Sequence, residues 1–295
     1  MKRGLLIVGM LVAGYIAYII VSLAMMPSVA KLADRRHSLT ITVRDWKGKE
    51  RPLVLGPRNP RWVSISQVPS EMKWAVIVAE DSNFYRHEGL DVKAMKKAIK
   101  YDLEKKSLAR GASTITQQVA KNIYLSREKT ITRKIKEVYL AWRMEQELTK
   151  GRILELYLNV VELGPMVYGI GHGSQYYFGK HPSAMSPAES SFLAAMLPGP
   201  RVAYNPYRNI AKVERRALSI LKKLHSRGLI TDEEFQISQS VPININGLQR
   251  KVDETLQHEP IQTAASSAHN TAPPIQTSPP TPLSTPSLDS RTHAH

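Results

Sequence analysis

A mainly α-helical domain tethered by one N-terminal membrane-spanning helix is the fold class this sequence predicts, and three features predict it. Residues 5–26 form an uncharged apolar run of 22 residues, roughly 33 Å as a helix and enough to cross a bilayer. Between about residues 70 and 227 apolar side chains recur mostly at helical spacing, with little strand signal and no internal repeat. From about Gly247 onward the chain is rich in Pro, Thr, Ser, His and Gln, with few apolar groups to offset ordering entropy, so a disordered tail is expected. The expected division is an anchor over 1–30, a linker or small extension over 31–60, one globular unit over 61–245 and the tail over 246–295.

The elements follow in order. Ser28-Val29-Ala30 resembles a small-x-small processing site, but the apolar run exceeds a signal core of about 7–15 residues and favours an uncleaved anchor. Lys2 and Arg3 argue for a cytoplasmic N-terminus, whereas Lys31, Arg35 and Arg36 argue the reverse, so charge alone leaves the orientation open. The extension carries strand-like LTITVRDW (39–46). After Pro69, Ser70 is the expected N-cap of a helix over MKWAVIVAE (72–80), apolar nearly all round, hence buried, and delivering Glu80 at its C-terminal end.

Residues 92–107 set Val92, Met95, Ile99 and Leu103 among Lys93, Lys96, Lys97 and Lys100. Such a basic amphipathic helix suits either a surface stripe on the core or a membrane surface. A helix over 114–125 starts at Ser113 or Thr114, with Gln117 placed for a capping box. A stronger one over 132–148 presents Ile135, Val138, Trp142 and Leu148. Further helices cover 152–160, 187–197 and 212–227, and Gly164, Gly169, Gly171, Gly173 and Gly179 mark loops between them.

Net charge is +16, and between residues 96 and 152 fifteen Lys/Arg face six Asp/Glu, which suits anionic headgroups or a phosphate-bearing lipid. Nucleic acid is not expected: no zinc-finger, RNP or basic-zipper pattern accompanies the patch. The chain has no cysteine, so it uses no disulfide or thiolate metal site.

Two glutamates sit in dense polar motifs. Glu80 opens EDSNFYRHEGLD (80–91), Glu137 closes RKIKE (133–137), and GASTITQQVAKN (111–122) lies between. Paired carboxylates framed by donors and cations are what glycosyl transfer needs: a base for a sugar hydroxyl, and groups to hold a departing phosphate. Glu80 and Asp81 oppose the dipole at a helix C-terminus, and a base with a burial-raised pKa would explain them. His87-Glu88 fails as a metalloprotease motif because position 91 is Asp91.

Glu137, with Arg133 at i−4 and Lys134 at i−3, reads either as a helix-face ion pair or as part of a diphosphate clamp. Ser113, Thr114, Thr116, Gln117 and Gln118 offer neutral donors, with Lys121 and Asn122 one turn on. Ser-x-x-Lys occurs at Ser28, Ser70, Ser126 and Ser219, but no Lys-Thr/Ser-Gly follows and the stretch after Ile245 is too short for a penicillin-binding domain. No glycine-rich nucleotide loop is present.

At these residues the chain resembles the peptidoglycan glycosyltransferases, specifically the monofunctional biosynthetic transglycosylases. The signatures run in order: EDSNFYRHEGLD, GASTITQQVAKN, RKIKE, KGRILELYLN (150–159) and the Gly-rich run ending SQYYFGK (174–180), with SPAESSFLAAMLPGP (186–200) also similar. His172 and Gly173 depart from the small residues usual there. The resemblance covers about residues 60–230 and implies a lysozyme-like fold acting on lipid II and an undecaprenyl-diphosphate-linked glycan chain. It implies Glu80 as general base on the acceptor C4 hydroxyl, with inversion to a β-1,4 link. Glu137, with Lys134, Lys121, Gln118 and Asn122, would hold the diphosphate, with Mg2+ or Mn2+ as candidate cations there. Asp81, Phe84, His87, Ser113, Thr114, Thr116 and Arg133 are the further substrate-binding candidates. It also implies a single-pass protein of the bacterial cytoplasmic membrane with its domain on the outer face, and cell-wall synthesis proteins as partners. A lytic transglycosylase or lysozyme-like hydrolase and a non-catalytic membrane scaffold are the rival classes.

Overall fold

The computed structural model describes residues 2–45, 47–105, 113–126, 128 and 130–247. The expected tail from 248 on, Trp46 at the end of the strand-like stretch, Ser107 at the end of the basic helix, and the Gly-Ala that opens GASTITQQVAKN lie outside the described residues.

Helix α1 (Lys2–Ala24) is long and apolar enough to cross a membrane, and none of the window that qualifies it is buried in the protein. Its Tyr15 hydroxyl lies 3.0 Å from Thr132 Oγ1. The segment after it is not a free tether. Val29 and Leu32 are buried in the domain, and the Leu32 carbonyl accepts from Arg152 Nε at 2.6 Å.

The 31–60 stretch, expected as a linker or small extension, folds as a hairpin of β1 (Leu39–Arg44) and β2 (Glu50–Leu55), in register from Leu39↔Leu55 to Arg44↔Glu50. Alternation on β1 turns Ile41 and Val43 inward, and with Leu55 they join the main core. Helix α2 (Ser70–Glu80) begins at Ser70 itself, not after it: Pro69 occupies the cap, and the Ser70 hydroxyl donates to Glu71 Oε1 at 2.7 Å. Met72, Ala75, Val76, Ile77 and Val78 bury this helix as its composition predicts.

Helices α3 (Val92–Lys105), α4 (Ile115–Tyr124), α5 (Ile131–Glu147) and α6 (Lys150–Val160) follow. Thr114 caps α4, and Gln117 closes the predicted capping box. A short ribbon, β3 (Glu162–Gly164) with β4 (Val167–Tyr168), leads to α7 (Ile170–Phe178), α8 (Pro187–Met196), α9 (Pro206–Ser226) and α10 (Asp232–Ser240). Helix α8 is the central element: Phe192 to Met196 have no exposed surface, and it packs on both α2 and α9, while α4 packs on α5 and α6.

Other sequence expectations also need correction. Gly171 and Gly173 do not lie in a loop; they are inside α7, and they are glycines because neighbours press on them. A Cβ on Gly171 would stand 2.2 Å from the Arg61 carbonyl oxygen, and one on Gly173 2.5 Å from Leu163 Cδ1. Trp142 does not face the core: it is half exposed on α5. Helix α9 starts at Pro206, capped by Asn205, with one non-helical residue at Asn209 separating its first turn from the amphipathic run read in the sequence.

Gly171→Ala should destabilise the fold by about 1–3 kcal/mol, because the backbone of Arg61 must move. Gly151→Ala in α6, where nothing lies within 4 Å of the new methyl, should be neutral or stabilise by up to about 1 kcal/mol. Urea melts of the two variants check the contrast.

Candidate active site

The loop after α2 organises the site. Asp81, at the C-cap of α2, is buried and accepts the backbone N–H of Ile115, the first residue of α4, at 2.9 Å. The negative end of one helix thus meets the positive end of another, which answers the dipole objection raised by the sequence. His87 Nε2 lies 2.9 and 3.0 Å from the two Asp81 oxygens. Thr114 Oγ1 donates to the Gly89 carbonyl at 2.7 Å, and Thr116 donates to Glu145 at 2.5 Å. Phe84 is wholly buried beneath Lys150, whose ammonium lies 4.5 Å from its ring and donates to the His87 carbonyl at 2.6 Å and to Glu145 at 2.8 Å. Asp81, Phe84, His87, Thr114 and Thr116 therefore form a brace beneath α4 and are not among the cleft-lining side chains.

The cleft has a volume of about 460 Å3. Gln118, Lys121 and Asn122 of α4 and Arg133 of α5 line it together with Ile41, Thr42 and Val43 of β1 and the Val160 to Glu162 segment. Positions 118, 121 and 122 share one face of α4, being three and four residues apart.

Both glutamates stand directly behind this lining. Gln118 Nε2 donates to Glu80 Oε2 at 3.0 Å, and Gln118 Oε1 in turn accepts the Tyr157 hydroxyl at 3.3 Å. Arg216 Nη2 approaches Glu80 Oε1 at 3.5 Å. Burial pushes the Glu80 carboxyl above the usual carboxylate range, with the neighbouring Asp81 charge adding to it; Gln118, Arg216 and Lys121 pull the other way. Glu137 is almost fully buried and accepts from Arg133 Nη1 at 2.7 Å and Lys134 Nζ at 2.5 Å. Lys134 Nζ also donates to Ser113 Oγ at 3.2 Å. The helix-face ion pair read from RKIKE exists, and it is buried, with one of its two cations on the cleft. Gln118 bonds Glu80 and Arg133 bonds Glu137, so each glutamate contacts one residue of the cleft lining without lining it itself.

Arg216, Tyr157 and strand β1 were not legible as site residues. Arg216 reads as one more cation on an amphipathic helix, and Tyr157 as core within KGRILELYLN. Neither gives a local signal, because each is brought to Glu80 only by tertiary packing.

With this geometry the family can be stated: the chain belongs to the transglycosylase family, whose model matches residues 50–225. It is 43% identical over 164 residues to the biosynthetic peptidoglycan transglycosylase of Nitrosomonas eutropha (strain DSM 101675 / C91 / Nm57), covering 56% of this chain and 67% of that protein. It is 38% identical over 221 residues to penicillin-binding protein 1A of Escherichia coli (strain K12), covering 75% of this chain and 26% of that protein. The chain thus spans about a quarter of the length of this second relative. A crystal structure of penicillin-binding protein 1A from Haemophilus influenzae aligns with a TM-score of 0.37 and 18% identity, over 75% of this chain and 24% of that one.

Removing the Arg216 cation leaves burial and Asp81 less opposed, so Glu80 should bind its proton more tightly. If ionised Glu80 is the working form, Arg216→Met should move the acid limb of the pH–rate profile to higher pH. A limb that stays in place or moves down would show that Arg216 does not act on Glu80.

Proposed function

We propose that this domain polymerises lipid II into β-1,4 glycan strands, transferring an undecaprenyl-diphosphate-linked chain to the C4 hydroxyl of the acceptor. The observation that carries this reading is one cleft backed by two glutamates, a half-buried one partnered by a neutral amide and a buried one clamped by two cations. A carboxylate with raised proton affinity is suited to accept a proton from a sugar hydroxyl near neutral pH. Gln118 and Arg216 each hold one oxygen of Glu80, fixing its direction.

As the acceptor oxygen attacks the anomeric carbon, its proton passes to Glu80. The bond to the diphosphate breaks with its electron pair leaving on the phosphate oxygen, and the configuration inverts. Lys121 and Arg133, on the cleft, supply positive charge where that negative charge develops, and Asn122 adds amide hydrogen bonding. Glu137 holds Arg133 and Lys134 in place, so its part is to keep Arg133 ordered on the cleft beside the leaving group, with Lys134 behind it.

The protein side of this cleft does not fit a dedicated Mg2+ or Mn2+ centre. Among the described residues no three His, Cys, Asp or Glu side chains gather to hold a metal ion, and both Glu137 oxygens already accept from cations. A lipid-borne diphosphate agrees with α1 as a membrane anchor, and on this reading the domain lies on the outer face, where lipid II is polymerised.

Glu80→Gln should fold normally and lose polymerisation of lipid II in detergent by roughly 10²–10⁴-fold, the usual worth of a general base. A variant that keeps the wild-type rate removes the assigned base. Glu137→Gln should also cripple turnover while Arg133 and Lys134 lose their order, and a wild-type rate would reduce Glu137 to a structural ion pair. Shortening of glycan strands by the wild-type protein, without polymer, would replace the reading with a hydrolytic one.

A further inference from the structure

The wall of the cleft formed by β1 lies outside the stretch matched by the family. The match starts at residue 50, yet Ile41, Thr42 and Val43 line the same cleft as Lys121 and Arg133. A two-stranded hairpin is marginal by itself. One end of this hairpin is secured by the core: Leu55 is buried, and Gly56 (φ +103) is packed so closely that a Cβ would stand 2.5 Å from the His37 carbonyl oxygen.

The turn end is secured differently. Arg201 Nη2 donates to the Arg44 carbonyl at 2.7 Å, and Nη1 donates to the Asp45 carbonyl at 3.5 Å. The same guanidinium donates through Nε to Glu162 Oε1 at 2.6 Å and lies 3.4 Å from the Tyr168 hydroxyl. Glu162 and Tyr168 pair across β3 and β4, and both line the cleft. Asp45 keeps the turn itself stiff, accepting the N–H groups of Lys47 and Lys49 at 2.9 Å each. One planar fork therefore spans from the hairpin turn to the β3–β4 ribbon, a geometry that lysine cannot fully reproduce.

We propose that Arg201 is a positioning residue that latches the β1–β2 hairpin down as a wall of the cleft, and that this wall grips the sugar-chain substrate. The proposal rests on the glycosyl-transfer reading of the cleft given above. With the latch gone, the hairpin keeps its core end but its turn end lifts, and the cleft holds substrate less well while the reacting groups on α2, α4 and α5 stay in place.

The test uses the full chain in detergent with lipid II. Arg201→Ala should raise KM roughly ten- to a hundredfold, the scale of losing one charge-assisted hydrogen bond, with kcat nearly unchanged. Arg201→Lys should recover part of the loss. Hydrogen exchange of Arg201→Ala should speed up at the amides of β1 and β2 and stay unchanged in α2 and α8. Faster exchange in the hairpin with wild-type KM would overturn the wall as a grip on substrate. A fall in kcat at constant KM, or exchange that rises throughout the domain, would overturn the latch and make Arg201 a general structural residue. Should Arg201→Ala fail to fold, Arg201→Gln, which keeps a donor at reduced reach, carries the same test. If the wild-type protein makes no polymer, the proposed function falls, and the exchange comparison still judges whether Arg201 holds the hairpin.

Discussion

Asp81 joins the end of α2 to the start of α4, and the position of nearly every group on the cleft follows from that junction. Its carboxylate takes the Ile115 N–H and the His87 ring at about hydrogen-bond distance, deep beneath the surface. Because α2 ends there, Glu80 is delivered on one side of the junction. Because α4 begins there, Gln118, Lys121 and Asn122 are delivered on the other, on successive turns of one helix face. The His87, Thr114, Thr116, Glu145 and Lys150 contacts tie the loop after α2 and the start of α4 to α5 and α6, so the two helix ends are held together.

Several buried acids are held by more than one partner and tie separate elements together. Glu155 is clasped by Arg152, approached by Arg35 at 3.5 Å and bonded by the Ile65 N–H at 3.1 Å, linking α6 to the segment that follows α1 and to the approach to α2. Glu189 caps its own helix and takes Lys180 at 2.7 Å. Paired in this way, such charges contribute less to net stability than to uniqueness, since desolvation offsets much of their attraction. Glu80 differs from them. Its partners are a neutral amide and a longer ion pair, which leaves its proton affinity raised.

Much of this was readable in the sequence where the signal is local. The apolar run of α1, the Thr114–Gln117 capping box, the buried character of α2 and the placement of Glu80 at its end all follow from periodicity and capping chemistry. The polar motifs were found as well, but their side chains divide in a way that spacing does not reveal. Lys121 and Asn122 reach the cleft, while Thr114, Thr116 and Phe84 turn inward to brace it. Glycine misled the reading at Gly171 and Gly173, because a residue chosen for close backbone approach inside a helix looks the same on paper as one chosen for a turn. Strand β1 and Arg216 were illegible as site components because only the folded chain, with contacts spanning more than a hundred residues, brings them there.

Only residues 25–28 separate the last residue of α1 from buried Val29. A bilayer-spanning α1 therefore leaves the body almost no slack. Such an anchor keeps the domain, and the cleft with it, close to the membrane. For a reactant carried in the same lipid sheet, as the proposed function has it, encounter becomes a search in two dimensions, limited by lateral diffusion and not by tumbling.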